Sequence, residues 1–561
     1  MMKQLILIPV FCLLTIAVQA VPAKRGIWQM LTLSDGTEVQ AQLCGDERQH
    51  WWTAADGRRY VADGDHYYKE VDGQTLSQMA AMSHRTAARQ FVAGSRLTHQ
   101  RRTDSQRYAY FGKQKGLVIL VEFKDTKFNS GNNLAKFNDI LNKEGYTTSE
   151  GFKGSVADYF KAQSSGQFEL NFDVLGPVQL NNNAKYYGEN DELGYDKRPD
   201  EMIIEACRSV DSQVNFNDYD WDGDGWVEEV FVVYAGKGEA DGGNATTIWP
   251  HMDVLTNYQK TLTLDGVNIS TYACANELTS NGSINGIGTF CHEFSHCLGY
   301  PDFYDTINEK TFGMSSFDLM DAGCYNGNGF IPSGYSAYEK WMAGWEELTE
   351  LADEDVTVDA LKPVSEGGSG YIIYNDGHPD EYYIVENRQQ TNWDAALPGR
   401  GLMITHVDYD EELWYWNIPN ALLDENSEYV VTYGYPTNDH MRFTIMHADN
   451  NIRTTYTSLA HDLYPYLRND SLTATSTPAA TFYNATKQGD MLMHGAILNI
   501  TQKSNLTISF KYRAPVVDTG ISDLQADSPQ SAVVYDLLGR RLVPGRTQKG
   551  LFVINGKKII R

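Results

Sequence analysis

The sequence predicts a mixed α/β core that is preceded by a small N-terminal unit and followed by a β-rich region. Two largely apolar runs, residues 117–123 and 229–235, have the pattern of strands buried inside a sheet. Ser155 can cap a helix that continues to Ala162, and residues 287–298 are expected to form another helix. Strands and helices mixed in this way are typical of layered α/β structures.

Residues 1–20 have the features of an export signal. Lys3 gives a positive start, residues 5–18 are apolar, and Val18-Gln-Ala20 ends the stretch with small residues at the cleavage positions. The apolar stretch is too short for a comfortable membrane span, and no later segment is apolar enough to form one. The mature chain is therefore expected to be secreted and soluble, either extracellular or at the cell surface.

Residues 21–107 are expected to form a small prosegment of short alternating strands divided by Asp-Gly turns. Its end is rich in arginine and contains one acid, Asp104. These arginines are Arg85, Arg89, Arg96, Arg101, Arg102 and Arg107. Exposed polar connections are preferred cleavage sites, so the stretch fits a processing region between a prosegment and an enzyme. The alternative is a solvated linker.

The charge of the chain argues against two classes of partner. The formal net charge is −27, from 46 Lys and Arg against 73 Asp and Glu. A polyanion is repelled by nucleic acid and by anionic lipid, so nucleic-acid binding is not expected.

The remaining chain divides into three predicted regions. Residues 108–350 form the α/β core, and residues 351–515 are β-rich, with strands expected at 382–385, 401–407 and 506–512. Residues 516–561 contain a polar linker and a last small β-like unit.

The central motif is Cys291-His-Glu-Phe-Ser-His-Cys-Leu-Gly-Tyr-Pro-Asp302. On a helix, His292 and His296 lie one turn apart on the same face and can hold one zinc ion. Glu293 lies beside the first histidine and can act as general base toward a metal-activated water. The resulting nucleophile would attack a carbonyl group, and Glu293 could return the proton to the leaving amine.

The third zinc ligand is expected to be Asp302. It follows Gly299 by three residues, where many zinc endopeptidases place a third ligand after a glycine turn. A turn or capping role is the alternative for Asp302, and Asp305 and Glu339 are rival ligands. Downstream, Met320 lies in a segment that resembles a methionine turn, the hydrophobic floor beneath such a site.

A second metal motif lies before the strand at 229–235. Asp220, Asp222 and Asp224 alternate along the chain and are followed by glycine, as at the start of a calcium loop. The final glutamate of an EF-hand is missing, so Glu228 or Glu229 would have to close a shorter loop. The motif predicts a structural Ca²⁺ site, although Asp-Gly pairs also form ordinary turns.

Beyond the zinc motif, the chain resembles the immune inhibitor A family of secreted bacterial metallopeptidases. The resemblance spans residues 112–410. Its motifs are LVILVEF with Lys124 and Asp125, GSVADY at 154–159 with Ser165-Gly166, DYDWDGDGWVEEVFVVYAG at 218–236, the zinc motif, the Met320 turn, YSAYEKWMAGW at 335–345 and LPGRGLMITH at 397–406.

The resemblance implies an α/β zincin-like, metzincin-like catalytic core with an active-site helix. It also implies a zinc endopeptidase made as a proenzyme, with His292, His296 and Asp302 as ligands and Glu293 as base. Cys291 and Cys297 depart from the family pattern and raise the prospect of thiol chemistry or a disulfide. Cys44 could hold the enzyme latent as a thiolate ligand, or be a disulfide-bonded or buried cysteine.

The tail resembles the C-terminal sorting domains of Bacteroidetes secreted proteins. The similar segments are VVYDLLGRRL at 533–542 and KGLFVINGKKIIR at 549–561. This resemblance implies transport by outer-membrane secretion machinery. A plain β appendage is the alternative.

Taken as a whole, the sequence favours a secreted zinc endopeptidase that acts on proteins or peptides. A catalytically silent, calcium-stabilised surface binding protein of the same fold is the main alternative. An intact Glu293 between the two histidines argues against it, because a binding module needs no base there. The sequence has no G-x-S-x-G turn between a strand and a helix, so it does not indicate a serine hydrolase.

Overall fold

The computed structural model describes residues 19–64, 66–76, 78–79, 110–191, 194–307, 310–452 and 458–515, together with four strands of the tail. The predicted leader up to residue 18, the arginine-rich stretch and the linker after Pro515 lie outside the described residues. In the described part of the chain, no helix has the length and apolar character needed to cross a membrane.

The strands are numbered in chain order. They are β1 Gln19–Ala20, β2 Trp28–Thr32, β3 Glu38–Gly45, β4 His50–Ala54, β5 Arg59–Ala62, β6 Tyr68–Val71, β7 Gly112–Glu122, β8 Phe168–Gln179, β9 Val230–Lys237, β10 His251–Val254, β11 Leu262–Leu264, β12 Val267–Ile269, β13 Thr271–Leu278, β14 Thr349–Glu350, β15 Val356–Leu361, β16 Tyr371–Asn375, β17 His378–Arg388, β18 Gly401–Asp408, β19 Phe443–Ile445, β20 Ala496–Gln502, β21 Ile508–Arg513, β22 Val534–Asp536, β23 Arg541–Leu542, β24 Leu551–Ile554 and β25 Lys557–Ile560.

The α-helices of the described residues are also numbered in chain order. They are α1 Leu134–Asn142, α2 Val156–Gln163, α3 Ala184–Gly188, α4 Pro199–Val210, α5 Gly288–Cys297, α6 Ala337–Met342, α7 Glu411–Tyr415 and α8 Glu428–Tyr433.

A mixed six-stranded sheet, in the order β1-β10-β13-β9-β7-β8, forms the centre of the core. Strands β8, β7, β9 and β13 are parallel to one another. Strand β10 pairs antiparallel with β13, and the edge strand β1 pairs antiparallel with β10. Strand β7 lies between β8 and β9, which confirms the prediction of an interior strand at 117–123. Strand β9, between β13 and β7, confirms the buried strand predicted from the second apolar run.

Alternating residues of the interior strands form two cores. Val118 and Leu120 pack on one face of the sheet in the hydrophobic cluster that contains α1, α2 and α5. Leu117 and Ile119 face the opposite cluster, which contains α4. A sheet with helices on both faces explains why β7 and β9 are apolar throughout rather than alternating.

Helix α2 begins as the sequence predicts. The Ser155 side chain accepts the Asp158 N–H, and the Asp158 carboxylate accepts the Ser155 N–H, so the two residues form a capping box.

The region after residue 350 is rich in β-structure, as predicted. One sheet has the order β14-β16-β17-β18-β19 and another the order β15-β21-β20. The strands predicted at 382–385 and 401–407 lie within β17 and β18, and the strand predicted at 506–512 is β21. In the tail, β23-β22-β24-β25 form a small antiparallel sheet.

The N-terminal region forms a sheet of its own and also packs against the core. Strands β2 to β6 form their own antiparallel sheet in sequential order. Yet Ala20, Val21 and Leu43 belong to the same hydrophobic cluster as α5. The last two residues of the predicted leader form β1, whose backbone pairs with the otherwise open edge of β10. Such pairing satisfies backbone groups that an edge strand leaves unpaired.

Candidate active site

Helix α5 carries the central motif and is held closely against its neighbours. Phe290 stacks on Phe231 of β9 with ring centroids 3.7 Å apart, which anchors one face of the helix to the sheet. At the start of the helix, a Cβ on Gly288 would lie 1.8 Å from the Cys324 carbonyl oxygen, so only glycine allows this approach. The helix ends at Cys297, and Gly299 turns the chain with φ +102°.

Three side chains converge on one point. The Nε2 atoms of His292 and His296 are 3.1 Å apart, and Asp302 Oδ1 lies 3.1 Å from the first and 3.4 Å from the second. All three residues are buried. Zinc bonds of about 2.0–2.2 Å in tetrahedral geometry separate neighbouring ligands by roughly 3.3–3.5 Å, so the spacing of these atoms is compatible with a single zinc ion.

Both imidazoles are oriented by main-chain carbonyls. His292 Nδ1 donates to the Leu319 carbonyl at 2.7 Å, and His296 Nδ1 donates to the Tyr300 carbonyl at 2.8 Å. A carbonyl oxygen can only accept, so each Nδ1 carries the proton and each Nε2 presents a lone pair. Metal-bound histidines in proteins are oriented in this way.

Asp302 is oriented by a residue that the sequence analysis missed. Asn417 Nδ2 donates to Asp302 Oδ2 at 2.7 Å, and the Asp302 N–H donates to Asn417 Oδ1 at 2.7 Å. Among the described residues, Asp302 Oδ1 has no hydrogen-bond partner.

The two rival ligands lie elsewhere. Asp305 accepts the N–H groups of Ile307 and Lys310 within a turn. Glu339 forms a capping box with Ser336 at the start of α6. The structure therefore brings Asp302, and neither rival, to the two histidines.

Glu293 is buried beside this cluster. Its Oε1 accepts the Val21 N–H at 2.8 Å, and Oε2 has no hydrogen-bond partner among the described residues. Burial raises the pKa of Glu293 well above its ordinary value; the Val21 N–H opposes this shift, while the negative charges of Asp302 and Glu47 add to it.

The backbone of residues 20–22 runs through the site. Trp249 Nε1 donates to the Val21 carbonyl at 3.0 Å, Tyr304 Oη to the Ala20 carbonyl at 2.7 Å and Tyr325 Oη to the Pro22 carbonyl at 2.7 Å. No motif in the sequence pointed to this segment.

A second stretch of the N-terminal region also lies at the site. Asp46, Glu47 and Arg48 are buried, and Arg48 Nε lies 3.4 Å from Glu47 Oε1. Burial raises the pKa of Glu47, and the negative charges of Asp46 and Asp302 contribute to the shift. Cys44 is not part of the metal-ligand cluster; its Sγ lies near the Gln42 carbonyl and Thr53 Oγ1.

The methionine and the cysteines named from the sequence have mainly packing roles. Met320 is buried, and its carbonyl accepts the Phe303 N–H at 2.8 Å, while the preceding Leu319 orients His292. Cys291 and Cys297 form no disulfide. Burial raises the pKa of both thiols, which keeps them protonated and unreactive.

The predicted calcium loop brings three of its four residues together. Carboxylate oxygens of Asp220, Asp222 and Asp224 lie within 4.8 Å of one another. Glu228 does not belong to this group; it closes the loop by accepting the N–H groups of Trp221 and Asp222. Burial raises the pKa of Glu228 to about 8.

Comparison with known proteins finds a similarity over this part of the chain. Residues 105–347, which contain the central sheet and α5, match the family model described as "Immune inhibitor A peptidase M6, catalytic domain". The match covers less than half of the chain.

Similar proteins carry names that agree with this match. Immune inhibitor A of Bacillus thuringiensis subsp. alesti is 25% identical over 290 residues, covering 43% of this chain and 42% of the relative. Pre-pro-metalloprotease PrtV of Vibrio cholerae serotype O1, strain M66-2, is 26% identical over 270 residues, covering 40% of this chain and 29% of the relative. The chain therefore spans less than half the length of the curated relatives it matches.

Proposed function

We propose that the chain is a secreted zinc-dependent endopeptidase that hydrolyses peptide bonds of extracellular proteins and is made as a proenzyme. The observation that carries this proposal is the convergence of His292, His296 and Asp302 within 3.4 Å, with Glu293 on the same helix. The match of residues 105–347 to a peptidase catalytic domain supports it. The sheet and active-site helix are consistent with a zincin-like fold.

The residues present fit zinc. Two imidazole nitrogens and one carboxylate oxygen are a donor set that zinc accepts, and three protein ligands are typical of catalytic zinc because a position stays open for water and substrate. Asp302 Oδ1 is buried without a hydrogen-bond partner among the described residues, and a bound cation would offset the free-energy cost of burying it. When bound, zinc would supply Lewis acidity to water and to the substrate carbonyl.

Glu293 is the proposed general base. It would take a proton from the attacking water and return it to the leaving amine. The Val21 contact supports the second role, because a peptide nitrogen lies 2.8 Å from the Glu293 carboxylate, within the distance that proton transfer requires.

The N-terminal segment is proposed to keep the enzyme latent. Val21 and Pro22, which follow the predicted leader, hold the Glu293 carboxylate and the side chains of Trp249 and Tyr325. A substrate could reach the Glu293 carboxylate only after this segment has left. We therefore propose that cleavage within the arginine-rich stretch, followed by release of the prosegment, opens the site.

Two further features remain proposals. Asp220, Asp222 and Asp224 would hold a structural Ca²⁺ ion, since clustered carboxylates favour such an ion. The β22–β25 unit would act as the sorting domain read by outer-membrane secretion machinery, which would place the enzyme outside the cell or at its surface.

The test is casein hydrolysis by the purified chain before and after limited cleavage at arginine, with zinc content measured in parallel. Glu293→Gln should keep zinc and lose about 10²–10⁴-fold in activity, the range for loss of a general base. Asp302→Asn should hold one zinc ion fewer than the wild type, whereas Asp305→Asn, a matched change three residues away, should keep the wild-type zinc content. If all variants hold zinc and none, wild type included, cleaves a broad peptide panel, the silent binding-protein alternative gains support.

A further inference from the structure

A second cluster of metal-ligating side chains lies in the β-rich region. His447 follows strand β19, Asp449 is two residues further on, and Asp462 follows the short 3-10 turn Leu459–His461. Their ligand atoms lie within 4.8 Å of one another. None of these residues belongs to the candidate active site or to the proposed calcium loop, and the cluster does not depend on the proposed function.

Two members of this cluster are buried without hydrogen-bond partners. His447 is 4% exposed and Asp462 is 0% exposed. Within the described part of the chain, neither ring nitrogen of His447 and neither carboxylate oxygen of Asp462 has a hydrogen-bond partner. Buried polar atoms are almost always satisfied, so four such atoms at one place call for a missing partner.

An ordinary ion pair does not explain the arrangement. His447 Nδ1 lies 3.2 Å from Asp462 Oδ1, but the two atoms are not aligned for a hydrogen bond. The same relation exists in the candidate active site, where Asp302 Oδ1 lies 3.1 and 3.4 Å from two imidazole nitrogens without a hydrogen bond. In both places a ring nitrogen approaches a carboxylate oxygen closely without a hydrogen bond, as neighbouring ligands of one cation do.

We propose that His447, Asp449 and Asp462 form a second divalent transition-metal site, of the kind that zinc occupies. The imidazole favours zinc over calcium or magnesium, which prefer all-oxygen ligands. The 3.2 Å separation agrees with neighbouring ligands of one tetrahedral ion, about 3.3–3.5 Å apart. Asp449 is only half-buried, so it gives the ion access from solvent.

The site has a structural role. The ion would join the two ends of the connection from residue 447 to residue 462, where the Ala448 N–H already donates to the Asp462 carbonyl at 2.9 Å. Phe312 packs edge-on against the His447 ring with centroids 4.5 Å apart. Phe312 follows the turn around Asp305, so the ion would also stabilise the packing of the β-rich region against the loop after α5.

The experiment measures zinc in the purified full-length chain by mass spectrometry of the metal after exhaustive dialysis. The wild type should hold about two zinc ions per chain, and Asp462→Asn and His447→Gln should each hold about one. His296→Gln should also retain about one ion, because it removes a ligand from the other cluster only. Asp490→Asn is the matched control: its carboxylate pairs with His494 at 2.9 Å on the surface, and this variant should keep about two ions.

A wild type with one zinc ion that is lost in His296→Gln would overturn the inference, as would Asp462→Asn with the wild-type content. If both cluster variants fail to fold, His296→Gln decides, because it leaves the second cluster intact and must still hold one ion. A single ion that survives His296→Gln but not Asp462→Asn would support this site and argue against the proposed catalytic zinc. The two proposals therefore fail in distinguishable ways.

Discussion

The Asn417–Asp302 pair gives a sharp test of how the candidate zinc site is held together. The two side chains and the Asp302 N–H form two reciprocal hydrogen bonds of 2.7 Å. Asn417 has φ +57°, a conformation that glycine adopts without strain. The substitution Asn417→Gly therefore removes the amide and preserves the backbone.

The expected loss of zinc affinity follows from the polar groups of Asp302 that lose their partner when the Asn417 amide is removed. Without it, Asp302 Oδ2 and the Asp302 N–H are buried and unpaired, which costs about 1–3 kcal/mol for each unsatisfied group. The loss of an outer partner of a metal ligand typically lowers metal affinity by about 10–100-fold, or about 1.4–2.7 kcal/mol. We expect Asn417→Gly to weaken zinc binding within this range and to lower kcat/KM at limiting zinc.

Zinc affinity can be measured by competition with a chromogenic chelator. Asn392→Gly is the matched control, because Asn392 also has a positive φ of 49° but is exposed, and its side-chain amide donates to the Ser365 carbonyl, away from the metal-ligand cluster. It should bind zinc like the wild type. Unchanged zinc affinity in Asn417→Gly would refute the idea that this amide orients a metal ligand.

Three further substitutions test the fold. Burial raises the pKa of Glu381, but His406 and other hydrogen-bond partners outweigh burial and lower the pKa from 4.5 to about 2. The ionised carboxylate therefore stabilises the folded state fully above pH 4.5, and this stabilisation is lost as the pH falls to 2. Glu381→Gln should thus remove about 3 kcal/mol at neutral pH and little at acid pH in urea titrations, and a pH-independent loss would contradict this. Ser155→Ala should cost about 1 kcal/mol in urea unfolding, with Ser155→Thr close to wild type. Gly288→Ala should collide with the Cys324 carbonyl, lower stability by about 1–3 kcal/mol in thermal unfolding and reduce zinc content; a normal melting curve would argue against the close helix contact.

Much of the core was predictable because its signals are local. The apolar runs of β7 and β9, the capped start of α2 and the extent of α5 are each encoded within about ten residues. The spacing of His292, His296 and Asp302 is local too, and the structure brings these three together. The turn role considered for Asp302 is played instead by Asp305, whose carboxylate accepts the next N–H groups along the chain.

The outer partners of the site could not be predicted in the same way. Asn417 lies 115 residues beyond Asp302, in a region assigned only as β-rich. An asparagine that accepts and donates one hydrogen bond has no sequence pattern, because any of many asparagines could do so. Its position depends on how the β-rich region packs against the core, and that packing is set by side chains spread over several strands.

The segment that covers the site was hidden for a different physical reason. Its contacts with Glu293, Trp249, Tyr304 and Tyr325 all use main-chain atoms of residues 20–22. Backbone groups are the same in every residue, so such contacts leave no side-chain motif to find. A cover built in this way should tolerate changes of side chain at residues 20–22 better than a shift of the backbone. An insertion within this segment should therefore disturb the proposed latency more than a conservative substitution there.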